Sequence, residues 1–274
     1  MEGKMINKKG HVFAIGLVIA TLIICGVILY SFTQSSKKIE IAMASPYALQ
    51  ELYDKETKFT FYAEDSAHLA ENQALFEVCQ KGAVSGLSCK PYEPESAYVI
   101  WNDTCNPVLS IDELFKKSFN SSFKNFIANY PDETLNNANF STTIMGSKAD
   151  INFDIISLKK TPEIVISGIL TYSAEHAYDS SFSHNLEIGP DEFRNIYSLV
   201  YAKLKECIGR SSDMTLVTSC MNELNPDRWG MKVHSSSSEG KNYLLFDLTS
   251  KNKFLFENNG LKFELLVLKF AIKV

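Results

Sequence analysis

Nowhere does this sequence place more than two Lys or Arg side by side, and its net charge is −5. A nucleic-acid-binding face needs clustered cations to displace phosphate counterions, so nucleic acid is not an expected partner. Cysteine is sparse, with six in 274 residues and no Cys-x-x-Cys, which removes the zinc-ribbon and thioredoxin-type readings. The usual catalytic signatures are missing as well. There is no His-Glu-x-x-His, no Gly-x-Ser-x-Gly elbow and no Gly-x-x-x-x-Gly-Lys loop. The five histidines, His11, His68, His176, His184 and His234, are scattered. The densest grouping of site-type residues is Glu175-His176-Ala177-Tyr178-Asp179, with His184 further on. It sits in a Ser-rich segment between expected strands and reads as a surface loop. The expectation is therefore a protein without catalysis and without a cofactor or metal.

What the chain does have is one long apolar run. His11–Phe32 contains no Asp, Glu, Lys or Arg. At ~1.5 Å per helical residue its roughly 22 residues reach ~33 Å, enough for a ~30 Å hydrocarbon core. This predicts a basic cytoplasmic head at 1–10, a transmembrane anchor at 11–32, a linker at 33–44 and an extracytoplasmic domain at 45–274. The flanking lysines, Lys4, Lys8 and Lys9 before and Lys37 and Lys38 after, nearly balance. Orientation rests instead on the size of the C-terminal portion, since a ten-residue head makes no domain. Ala42-Met43-Ala44 has the form of a signal-peptidase site, but the apolar run is longer than a signal h-region and ends well before it. A retained, single-pass anchor in the lipid bilayer is expected.

The junction Asn7-Lys8-Lys9-Gly10-His11-Val12-Phe13 resembles the class III signal of archaeal pilin-like membrane proteins. The resemblance implies cleavage between Gly10 and His11 on the cytoplasmic side, with the apolar helix kept as anchor or assembly core. His11 stands where that family often has Gln, and Ile15 where many members carry Glu. Tyr62-Ala63-Glu64-Asp65-Ser66-Ala67-His68-Leu69-Ala70, after a Lys-Lys-Gly anchor, is similar to uncharacterised members of the same group. What this implies is a surface location and assembly, and no reaction. Lys-Lys-Gly also reads as a plain basic flank.

Beyond the linker, Ser45-Pro46 predicts an N-cap and Pro at the first helical position, opening a helix over 46–80. Phe59, Ala63, Ala67, Ala70, Ala74 and Val78 form its stripe, with Glu64, Asp65, Glu71 and Glu77 off it. The stripe packs either on its own domain or against copies of the chain. A strand is expected at 98–101. Ser110 and Glu113 form a capping box for a Phe-faced helix ending at Pro131. Strand patterns are next expected at 151–155, 164–166 and 169–170, with a weaker one at 182–188. Pro190 opens a helix capped by Gly209, and Asp213 caps a shorter one through Leu224. Strands close the chain near 230–234, 242–248, 253–257 and 261–274, with Asn259-Gly260 as a hairpin turn and Ser235–Ser238 as a loop. This is α+β with antiparallel sheets and packed helices, and a subdivision near 189.

Cys25 lies in the apolar run. Cys207 and Cys220 flank a helical turn that a disulfide would pin. Cys79 and Cys89 are a second candidate pair, with Cys105 left over or pairing with either of them. Disulfides require export, and buried thiols are the alternative. Asn102, Asn120 and Asn139 begin glycosylation sequons. The function expected is a pilin-like surface protein, structural or accessory, with self-assembly through the anchor and the 46–80 helix. A monomeric adhesin or solute-capturing module is the alternative, and an exported hydrolase the third reading.

Overall fold

A computed structural model describes residues 8–86, 88–132, 134–154, 156–160 and 174–274, without the side chains of 8–15, 33–45, 160 and 174. The fold is α+β, with antiparallel sheets and packed helices. The chain divides into two compact units. The first comprises residues 1–56 and 157–176, the second 57–156 and 177–274. The expected strands at 164–166 and 169–170 lie outside the described residues.

Helix α1 (Lys8–Gln80) is continuous, with Pro46 inside it. The expected linker at 33–44 and the Ser45 cap are thus replaced by helix. Pro46 forgoes one backbone donor, but its neighbours from Ile39 to Leu52 include Ala, Glu, Met, Gln and Leu, all strong helix formers. In the first unit, the part of α1 from Gly16 to Phe32 is exposed at every position. Among the described residues, no helix is long and apolar enough to cross a membrane. The first unit also holds most of the two-stranded sheet of β5 (Ile156–Lys160) and β6 (Ala174–Tyr178).

The second unit is organised around two sheets. The larger has the order β1-β2-β10-β9-β8, from Pro91–Tyr92, Glu95–Trp101, Leu261–Lys273, Lys241–Glu257 and Trp229–Ser238 respectively. Its β2–β10 pair is parallel, the one departure from the antiparallel expectation, while its other pairs are antiparallel. Ser235–Ser238, expected as a loop, instead extends β8 and pairs with Lys241–Leu244. The hairpin turn falls on Glu239 and Gly240, both with positive φ. Asn259-Gly260 turns β9 into β10 as the sequence predicts, again with both residues at positive φ. At the centre, the Trp101, Phe270 and Phe246 rings stack with centroids 3.5 and 4.7 Å apart.

Helix α3 (Pro190–Arg210) packs on this stack, with Tyr197 5.8 Å from Trp101 and Phe193 6.2 Å from Trp229. Gly209 stays inside α3, and Ser211 is the cap. Asp213 caps α4 (Met214–Met221) by accepting from the Thr215 amide at 2.8 Å. Cys207–Cys220 then ties α3 to α4.

The smaller sheet, β3-β4-β7, runs through Phe140–Met145, Lys148–Phe153 and Ser181–Asn185. Helix α2 (Pro107–Ile127) and the C-terminal part of α1 cover it through Phe123 on Phe140 and Phe59 on Phe153. Helix α2 begins a turn earlier than the Ser110 box suggests, because the Asn106 side chain caps it and Pro107 supplies the first turn. Its Phe115, Phe119 and Phe123 are fully buried. The predicted α1 stripe, from Phe59 to Val78, is also fully buried, inside this unit.

Candidate functional site

The apolar stripe of α1 understates how much of the helix is covered. Glu71, expected off the stripe, is fully buried, because residues 70–72, 74–75 and 78–79 are all covered and the helix is enclosed on more than one side. A buried carboxylate needs compensating donors. The Glu71 Oε1 accepts the backbone amides of Glu187 at 2.5 Å and Ile188 at 3.3 Å. Its Oε2 lies 2.7 Å from His184 Nε2 and 3.9 Å from His68 Nδ1.

Three elements deliver these groups. His68 and Glu71 are three apart on α1, so they share a face. His184 stands on β7 directly opposite the small, buried Ala149 of β4. The amides of Glu187 and Ile188 come from the connection between β7 and α3, anchored by the Leu186 amide on the Ser147 carbonyl at 2.9 Å. Gly189 makes that course feasible. A Cβ there would lie 2.3 Å from the Gly146 carbonyl oxygen, so only glycine lets the two turns meet. The resulting cluster is graded in exposure: Glu71 is closed off, the His184 side chain is 16% exposed and His68 is 59% exposed.

The sequence grouping at 175–179 does not converge on a site. In the first unit, His176 Nε2 meets Glu56 Oε2 at 2.9 Å, and its ring packs 4.5 Å from Tyr53. Glu175 accepts from the Ser157 hydroxyl at 2.6 Å, and this bond, with Lys159 adding, holds its carboxyl below the ordinary range. His184 belongs instead with His68 and Glu71. The signal that marks the pair is His68-x-x-Glu71 on a helix, which lies off the apolar stripe and so reads as surface.

Gly10 and His11, expected to flank a processing site, lie in α1, with the His11 side chain outside the described residues. Cys89 bonds Cys105, with Cα atoms 5.2 Å apart, not Cys79. Cys79 remains a thiol inside the α1 core, where burial pushes its pKa up, while Cys25 is an exposed thiol. Asn102 and Asn139 are exposed. Asn120 is half-buried and accepts from the Thr142 hydroxyl of β3.

No protein-family profile, curated protein or solved structure matches the chain.

Proposed function

We propose that the chain is a single-pass membrane protein of pilin-like type, anchored by residues 11–32, whose domain acts on the far side of the bilayer as a structural or accessory part of a surface assembly. The observation that carries this is the exposed apolar face of α1. Leu17, Val18, Ile19, Leu22, Ile23, Ile24, Val27, Ile28 and Leu29 are each at least half exposed, and they circle the helix. Left in water, each such side chain forgoes a share of the about 1.5–3 kcal/mol that full burial supplies. A helix apolar all round belongs in a bilayer or against other helices, not beside solvent. The described side chains of the run start at Gly16, and the uncharged sequence continues back to His11.

Two disulfides support an oxidising compartment for the domain. The alanine face of α1 between Ala63 and Ala74 is already covered within the chain, so it is not open to copies of the chain.

The test is fractionation of expressing cells and alkaline carbonate extraction of the membranes. The processed chain is expected in the extracted membrane pellet, with a mature N-terminus at His11 and the domain open to protease from outside. Recovery in the soluble fraction with an N-terminus at Ser45 or Pro46 would overturn the anchor.

A further inference from the structure

The geometry points to a divalent transition-metal site of the zinc class formed by His68, Glu71 and His184. One ligand atom from each residue lies within 4.8 Å of the other two. Around a tetrahedral zinc, ligand atoms at ~2.05 Å from the ion sit about 3.3 Å apart. The His184 Nε2 to Glu71 Oε2 separation is 2.7 Å and the His68 Nδ1 to Oε2 separation 3.9 Å. Each differs from the tetrahedral spacing by about 0.6 Å. His68 has most of its side chain in solvent, and its ring centroid lies 6.0 Å from that of His184.

The charge balance points the same way. Glu71 is fully buried, and among the described residues no Lys or Arg pairs with it. A buried carboxylate is costly unless a cation or several donors meet it. The two amides from Glu187 and Ile188 occupy Oε1 and orient the carboxylate, as the outer shell of a metal site does. Both imidazoles then converge on the remaining oxygen. A divalent ion between them would set positive charge beside the buried carboxylate.

Two imidazoles and one carboxylate form a borderline-soft donor set, suited to zinc or a neighbouring first-row ion rather than to calcium or magnesium. Three protein ligands leave a fourth position, on the exposed His68 side. The bound ion would also clamp α1 to β7, so it stabilises the second unit by mass action.

The site is tested on the full chain in detergent, stripped with chelator and titrated with Zn²⁺ by calorimetry, and with Co²⁺ by visible absorption. One saturable zinc site per chain is expected, with a cobalt spectrum of tetrahedral intensity and no competition from Mg²⁺ or Ca²⁺. His68→Ala, at an exposed position, and His184→Ala should each weaken zinc binding ~100-fold or more, the upper end of what even outer-shell losses cost. Zinc should raise the melting temperature of the parent chain and leave that of His68→Ala unmoved. His234→Ala, outside the cluster, should bind as the parent does. The site is excluded if the parent takes up no stoichiometric zinc. It is equally excluded if His68→Ala, folded by its melting transition, binds with parental affinity and a parental cobalt spectrum. Neither result bears on membrane anchorage, which the fractionation decides separately.

Discussion

The Trp101 indole donates to the Gly82 carbonyl at 2.8 Å, in a fully buried contact that fixes the end of α1 on the five-stranded sheet. Gly82 sits at φ +65, and a Cβ there would lie 3.0 Å from the Val99 Cβ and 3.2 Å from the Lys269 carbonyl oxygen. Gly82→Ala should therefore destabilise the domain by about 1–2 kcal/mol from the left-handed backbone alone, with the close contacts adding to it. Trp101→Phe should cost about 1–3 kcal/mol through the orphaned carbonyl, besides any loss of stacking on Phe270. Denaturant unfolding measures both. A Gly82→Ala midpoint equal to the parent's would contradict this account of the α1 terminus.

The disulfide map is a second test. Peptide mapping without reductant should find Cys89 joined to Cys105 and Cys207 joined to Cys220, closing sequence separations of 16 and 13 residues. Loops of this size predict about 3 kcal/mol each from the restricted unfolded chain. Cys79 should stay unmodified by alkylating reagents until the fold opens, since it is buried and its thiolate is disfavoured. Native-state alkylation of Cys79, or its recovery in a bridge, would count against this arrangement.

What the sequence disclosed and what it hid divide along physical lines. The Phe59–Val78 stripe, the Asp213 cap and the Asn259-Gly260 turn were legible because each depends on residues within a few positions of itself. Ser235–Ser238 was not, since four serines carry no apolar alternation and their strand exists through pairing with Lys241–Leu244. Cysteine spacing does not determine pairing, so it left the partner of Cys105 open. For the candidate site, His68-x-x-Glu71 is visible at helical spacing. The burial of Glu71 is not, because its amide partners at 187 and 188 are more than a hundred residues away and reach it past Gly189.

Alkaline titration gives a third prediction. Burial is the main cause that raises the phenol pKa of Tyr98, Tyr130 and Tyr201. The Asp247 carboxylate adds to it at Tyr98, Asp132 at Tyr130 and Tyr197 at Tyr201. In the unfolded chain these phenols lose their protons near pH 10, whereas in the fold they keep them. Above that pH the native state binds more protons than the unfolded state, so stability falls as pH rises. Absorbance titration of the phenolates should show these three among the twelve tyrosines ionising at higher pH than an unperturbed tyrosine. Tyr98→Phe, which cannot ionise, should lessen the alkaline loss of stability. Ionisation of all twelve at the ordinary pH in the native state would contradict the raised pKa values of Tyr98, Tyr130 and Tyr201.

The proposed anchor carries its own probe. Cys25 is an exposed thiol in the middle of the apolar segment, Cys79 is buried, and the other four cysteines are bonded. If residues 11–32 lie in hydrocarbon, Cys25 should react in intact membranes with an apolar maleimide but not with a charged one, and with both after detergent extraction that loosens the helix environment. If the anchors also pack on one another, oxidation with copper phenanthroline should give a disulfide-linked dimer that Cys25→Ala removes. The two outcomes separate the competing readings. Selective labelling without a dimer fits a monomeric anchored module, and labelling with a dimer fits assembly through the helix. Equal reactivity toward both maleimides in intact membranes would place Cys25 in water and remove the physical basis of the anchor, since the exposed leucines, isoleucines and valines around it would then need another partner.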